Sequence, residues 1–432
     1  MRGKALARAI SVAVVVYGTA AAAQTVPPVF IPFGVANQQL FAGRFDDSIR
    51  GFFSLVNDGI FQLQFARVNQ GFEEFQNEAS AAIDEVPIPS GSVSAAYTFD
   101  PKLETYVRQD RPFAPVLSLN AHTDGKGVLT IGTAFSYVNY DTFNGEDRKN
   151  VVFPAPLGVT DINGTPVSDQ VLFNFKLQQS IYTVALSYGL LDNVDVGVLI
   201  PVIRESFHGS VIDRFFSDDG QSLQPAVLLT DGTNFAFVPD LRLPTAHPPV
   251  TLQAYDVPVG DLPLPGVVYR KNTYGMGDLL LRTKVFFGTF GGFDVGSGVS
   301  MALPTGDEDN LLGVGSVRFE PSLLVSKATE LFAVHTNQAV HVDVDDSERD
   351  RYDYTVGGEL LVTPWATLLL DQVGHIEFSG ADPIHKFDVV PGVKVNAYGN
   401  VFVGFNAILP LNRDGLRTDY TPNATVEISR AF

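Results

Sequence analysis

From residue 127 onward the chain falls into twelve segments in which apolar and polar residues alternate: 127–140, 177–189, 193–207, 276–288, 292–304, 314–327, 330–344, 352–363, 366–378, 385–397, 400–411 and 418–432. A period of two sends successive side chains to opposite faces of an extended strand, so each segment carries one apolar and one polar face. Segment 385–397 sets Phe387, Val389, Pro391, Val393 and Val395 against Lys386, Asp388, Gly392, Lys394 and Asn396. Segment 314–327 sets Val317, Phe319, Leu323 and Val325 against Arg318, Glu320, Ser322 and Ser326, and 276–288 sets Leu279, Leu281, Val285 and Phe287 against Asp278, Arg282 and Lys284. A soluble sheet does not bury that many charges without strong pairing, whereas a wet lumen accepts them. Most segments run about 11–15 residues, beyond the usual globular strand and enough to cross a bilayer at a tilt.

The connections strengthen this expectation. Tight turns are predicted at Leu191-Asp192-Asn193, Gly288 to Gly292, Lys327-Ala328-Thr329, Thr363-Pro364-Trp365 and Tyr398-Gly399-Asn400. They alternate with longer polar loops at 141–176, 208–275, 305–313, the acidic 345–351, 379–384 and 412–417. Short periplasmic turns opposite long extracellular loops are the asymmetry of outer-membrane barrels. Twelve is even, so both the start of the first strand near Lys126 and the carboxyl end are expected on the periplasmic side. In the last segment Ala424, Val426, Ile428 and Phe432 oppose Thr425, Glu427 and Ser429, which predicts a strand that closes the barrel against the first. Val426, Ile428 and the terminal Phe432 resemble the signal by which the barrel-insertion machinery recognises such proteins. Arg430 breaks the alternation and is expected to snorkel at the interface.

The fold class predicted is therefore all-β, a transmembrane antiparallel barrel of about twelve strands. Residues 1–23 place Arg2, Lys4 and Arg8 before the apolar run Ala9 to Val16 and a small-residue stretch ending at Ala23, the layout of a secretory signal peptide. There are 0 cysteines, which excludes disulfides and thiolate sites, and a net charge of −19 excludes non-specific nucleic-acid binding. The partners expected are outer-membrane lipid and lipopolysaccharide, the insertion machinery and a small-molecule solute. Only 18% of residues are charged while 45% are hydrophobic, an excess of apolar surface that facing lipid would absorb.

Residues 24–125 read differently from the barrel at 126–432. Phe72 to Ile83 predicts a short amphipathic helix, and 94–109 a hairpin around Asp100-Pro101-Lys102. These pieces suit a periplasmic cap, a lumen plug, or two further strands of a fourteen-stranded barrel.

The candidate lumen residues, by parity, are Asp278, Arg282, Lys284, Arg318, Glu320, His335, Glu359, Asp371, Lys386, Asp388, Lys394 and Glu427. Their positive and negative charges nearly balance, which predicts paired ladders rather than the single-sign ring of an ion-selective pore. No enzyme is expected. His335 and Asn337 share a face, as in a lipid-facing Ser-His-Asn hydrolase, but parity turns them inward. His341 and His375 also point inward with no HExxH or other metal spacing, so neither metal nor cofactor is expected. Asp343, Asp345, Asp346, Glu348 and Asp350 read as a solvated acidic loop.

Three runs carry a narrower resemblance. GMGDLLLRTKVFF from Gly275 to Phe287, VSMALPTGDEDNLLGVGS from Val299 to Ser316, and YGLLDNVDVGVLIPVI from Tyr188 to Ile203 resemble the outer-membrane family called the MetA-pathway of phenol degradation proteins. The resemblance spans roughly 127–432 and implies a channel or transporter for small, aromatic or amphipathic solutes. A structural or adhesive barrel, with a filled interior and working loops, is the alternative.

Overall fold

The computed structural model describes residues 12–14, 29–31, 49–50, 75, 78–79, 82, 97–100, 105–108, 117–160, 164–218, 223–230, 235–239, 267–378, 384–398 and 400–431. Twelve strands make a closed antiparallel barrel: β1 (Val128–Phe143), β2 (Pro166–Leu191), β3 (Val194–Asp218), β4 (Leu279–Phe290), β5 (Phe293–Leu303), β6 (Arg318–Ala328), β7 (Phe332–Asp343), β8 (Arg351–Thr363), β9 (Ala366–Glu377), β10 (His385–Tyr398), β11 (Val401–Pro410) and β12 (Thr421–Ala431). Each of the twelve segments read from the sequence supplies one of them. Closure is made by β12 on β1, with Ala431 opposite Val128 and Asn423 opposite Ser136. Phe432 lies outside the described residues.

Two expectations are corrected. The described residues of the predicted loops 141–176 and 208–275 are largely strand: β2 and β3 run for 26 and 25 residues, and Val151–Thr160, Leu223–Thr230, Phe235–Pro239 and Val267–Met276 add to them. The physical reason is visible in the burial of Phe173, Phe175, Leu177 and of Ile203, Glu205, Phe207, where the alternation simply continues. The fourteen-strand alternative also fails among the described residues. Tyr97–Asp100 and Thr105–Arg108 do form the predicted hairpin, but as a separate two-stranded sheet. At the β4–β5 turn the strands extend to Phe290 and Phe293, leaving Gly291 (φ 60°) and Gly292 (φ 83°) as the two linking residues. Positive φ at both positions is what a tight, twist-matched hairpin demands, and glycine meets it without strain.

The chain divides into two compact units. One comprises residues 77–145, 176–206 and 272–432 and holds the barrel wall. The other comprises 1–76, 146–175 and 207–271. In the latter, Val151–Thr160 pairs with the first part of β2, and Phe75 packs edge-on to Phe173 at 4.8 Å between ring centroids. Helical residues occur at Phe75, Glu78, Ala79 and Ala82, an i, i+3, i+4, i+7 spacing that puts them on one buried face, within the predicted helix.

Candidate lumen site

Burial shows the orientation of the described wall side chains. Leu370 is 57% exposed, Val426 41% and Ile428 44%, while Lys394 is 0% and Glu427 1% exposed. The wall is apolar outside and charged inside, the inverse of a soluble barrel. Because lipid replaces water on the outer face, this is the arrangement of a transmembrane barrel.

The interior charges are paired across strands. Lys394 on β10 lies opposite Gly404 on β11, which lies opposite Thr425 on β12. With no side chain at Gly404 to intervene, Lys394 Nζ reaches Glu427 Oε2 at 2.7 Å. Lys284 and Asp195 face each other directly in the β4–β3 register, Nζ to Oδ2 3.3 Å. Arg318 donates to Asp278 Oδ2 at 2.9 Å, and Asp278 also accepts the backbone N–H groups of Gly306 and Val314, each at 2.9 Å. That carboxylate thereby holds the connection between β5 and β6. Ser300 separates Arg282 from Glu320 in the register, and the two interact electrostatically past it. Asp388 takes a charge-assisted bond from Arg417. Lys386 donates to Glu78 of the predicted helix at 2.7 Å, and Glu78 also accepts from the Leu416 N–H at 3.0 Å.

A second layer lies against the inner wall. Residues 117–124 run past consecutive strands, and Ser118 and Ala121 are fully buried. Asp371 on β9 accepts the Leu117 N–H at 3.3 Å and the Ser118 hydroxyl at 3.4 Å. Asn337 on β7 clasps Leu119 from both sides, accepting its N–H at 2.7 Å and donating to its carbonyl at 2.9 Å. Ser326 on β6 accepts the Ala121 N–H at 3.0 Å, His122 Nε2 lies 2.8 Å from Asp294 on β5, and Asp195 on β3 accepts the Asp124 N–H at 2.9 Å. Leu117 adds apolar packing on Val373, Val390 and Ile408. Two wall glycines make room: a Cβ at Gly357 would meet Ser118 Oγ at 2.6 Å, and one at Gly296 would meet the Ala121 carbonyl at 2.9 Å.

His335 sits beneath this strap, with Nε2 2.7 Å from Glu359 Oε1 and Nδ1 2.9 Å from Ser326 Oγ. It is 1% exposed, so its inward orientation follows the parity reading. Asp124 is enclosed by Thr130, Ser187 and Lys284, and burial raises its pKa above the ordinary carboxylate value. The acidic 345–351 run is less open than its composition predicts. Asp343 accepts the N–H groups of Asp345 and Asp346 at 3.0 and 3.1 Å and the Ser316 hydroxyl at 2.5 Å.

Sequence parity thus finds the inward face but misses its partners. Asp195, Ser326 and Asp294 bind the strap, yet each is one polar residue in an alternating strand, and nothing in the sequence marks it. Two small cavities border the inner wall. One of about 50 Å³ is lined by residues including Tyr140, His375, Asp388 and Arg417, and one of about 30 Å³ by residues including Leu119, Asp195, Arg282 and Lys284. Each has room for a few water molecules, at roughly 10–15 Å³ apiece.

No family model matches this chain, and no curated protein matches it. Among solved structures, an outer-membrane channel from Pseudomonas putida F1 aligns at 13% identity and a TM-score of 0.44, covering 72% of this chain and 98% of the other. The toluene transporter TbuX of Ralstonia pickettii aligns at 9% identity and a TM-score of 0.32, covering 71% and 90%. The translocator domain of the autotransporter NalP from Neisseria meningitidis aligns at 10% identity and a TM-score of 0.29, covering 71% and 89%. Likeness this shallow carries no argument about what passes through the barrel, and the fold rests on the strand pairing itself.

Proposed function

We propose that this chain is an outer-membrane channel or transporter for small neutral or amphipathic solutes, aromatic ones among them, with both termini periplasmic. The observation that carries the reading is the pairing of the interior charges. Lys394 with Glu427, Lys284 with Asp195 and Arg318 with Asp278 leave no ring of one sign among the described residues, so simple ions gain little from that wall. The aromatic preference rests on the motif resemblance alone. In this reading residues 1–23 are a leader, residues 24–125 supply a plug whose last turn is the 117–124 strap, and 126–432 form the barrel. Opening then requires the strap to leave its bonds to Asp371, Asn337 and Ser326.

Planar-bilayer conductance tests it together with solute uptake. The full chain is expected to conduct weakly, and deletion of residues 25–124, strap included, to raise conductance. A chain that conducts in neither form, in cells whose uptake of small aromatics is normal without it, overturns the transport reading. The alternative, a structural barrel with a filled interior, then takes its place.

A further inference from the structure

Three neighbouring strands bring a mixed donor set to the inner wall. Glu320 stands near the start of β6, His341 near the end of β7 and Asp353 near the start of β8, so all three lie toward the end of the barrel that carries the longer connections. One ligand atom from each lies within 4.8 Å of the others. An ion with ligands about 2.1 Å away holds tetrahedral donors roughly 3.4 Å apart, so contraction by up to about 1.4 Å completes the set. Asp353 is already aimed. Arg351 Nε contacts its two oxygens at 3.0 and 3.1 Å, and His375 Nδ1 on β9 lies 2.7 Å from Oδ1. Outer hydrogen bonds of this kind fix a ligating carboxylate in metal sites. Solvent is close, because the cavity of about 50 Å³ borders His375.

We propose that Glu320, His341 and Asp353 bind one divalent transition-metal ion, with His375 orienting Asp353 and water completing the shell. The donor chemistry selects the class. An imidazole nitrogen with two carboxylates favours Zn²⁺, Ni²⁺ or Cu²⁺ over Ca²⁺ and Mg²⁺, which take oxygen ligands. The opposing charge is Arg351, which binds one edge of Asp353, and Arg282, which faces Glu320. These cations moderate the affinity. The site does not depend on the transport reading, since a closed barrel would bind the ion equally.

The test uses the untagged full chain in detergent micelles, titrated calorimetrically with Zn²⁺, Ni²⁺, Cu²⁺ and Ca²⁺. One-to-one binding of the transition metals is expected, with Ca²⁺ at least about tenfold weaker. Glu320→Gln, Asp353→Asn and His341→Ala are each expected to weaken binding about 10- to 100-fold, and His385→Ala, on the outward face, to leave it unchanged. Nitrogen hyperfine structure in the Cu²⁺ electron paramagnetic resonance spectrum of the unaltered chain should report imidazole ligation, a readout that survives if a variant misfolds. Absence of stoichiometric binding, equal affinity for Ca²⁺, a Cu²⁺ spectrum without nitrogen coupling, or unchanged binding in folded Glu320→Gln and Asp353→Asn would overturn the site.

Discussion

The wall at β10–β12 and the wall at β5–β9 solve the same problem in different ways. At β10–β12, Lys394 is satisfied by Glu427 two strands away, so part of the wall neutralises itself. At β5–β9, Asp371, Asn337, Ser326 and Asp294 are engaged by residues 117–124, more than 170 positions earlier in the chain. The Lys394–Glu427 pair is complete within the sheet, although Lys386 on the same strand is met by Glu78. The second stretch is complete only with its strap, so the strapped side is where a barrel of this kind has something to release.

The comparison is broken hardest at the self-satisfied side. Lys394→Met leaves Glu427 buried and uncompensated, and removal of one partner of a buried pair costs about 3–5 kcal/mol. The unfolding midpoint of the refolded barrel in urea, measured on heat-modifiability gels, should fall accordingly. Adding Glu427→Leu should restore most of the loss, because an apolar pair of similar volume is often as stable as the ion pair it replaces. A double variant as unstable as the single would show that Glu427 has work beyond Lys394.

Next in size is the lipid face, on which both sides are alike. Leu323→Arg puts a cation on a side chain that is 48% exposed and outward, at a cost of up to about 2–4 kcal/mol near the bilayer midplane. Loss of stability in lipid vesicles, greater than in detergent, is the expected result. Equal stability in both would remove β6 from the membrane.

How much of this was legible beforehand depends on the range of the interaction. Alternation is a local property, so all twelve strands, and the buried side on which Lys394 and Glu427 stand, could be read directly. Ion pairs between neighbouring strands were half legible: parity put Lys394 and Glu427 on one face, but their meeting depends on Gly404 standing between them. The strap was not legible. Leu119 meets Asn337 at a separation of 218 residues, and the glycines that admit the strap, Gly357 and Gly296, look from sequence like any strand glycine. The Glu320, His341 and Asp353 cluster escaped for the same reason, since its members come from three strands and match no spacing rule.

The strapped side is probed by Asn337→Ala. It removes both bonds to the Leu119 backbone and leaves a partly buried N–H and C=O unbonded to it, a loss of about 1–2 kcal/mol. If that loss is local, conductance should rise while the global urea midpoint moves less than in Lys394→Met. A midpoint shift as large as that of Lys394→Met, with conductance unchanged, would make the strap a structural brace and dissolve the distinction between the two sides.

The smallest effect concerns where the strap joins the barrel. Asp124 lies between the strap and β1, shares Thr130, Ser187, Asp195 and Lys284 as neighbours, and has its pKa raised by burial. A carboxyl with a raised folded pKa takes up a proton on folding. Its contribution to stability is therefore fully present below the unfolded value of about 3.9 and is lost as pH rises through the folded pKa. The slope is at most about 1.4 kcal/mol per pH unit for one proton. Asp124→Asn keeps the shape and cannot titrate, so its stability should fall less than that of the unaltered chain as pH rises from the unfolded value through that window. Parallel pH profiles for the two proteins would mean that Asp124 stays ionised in the fold, held by Lys284 despite its burial, and that the junction is an ion pair like those of β10–β12.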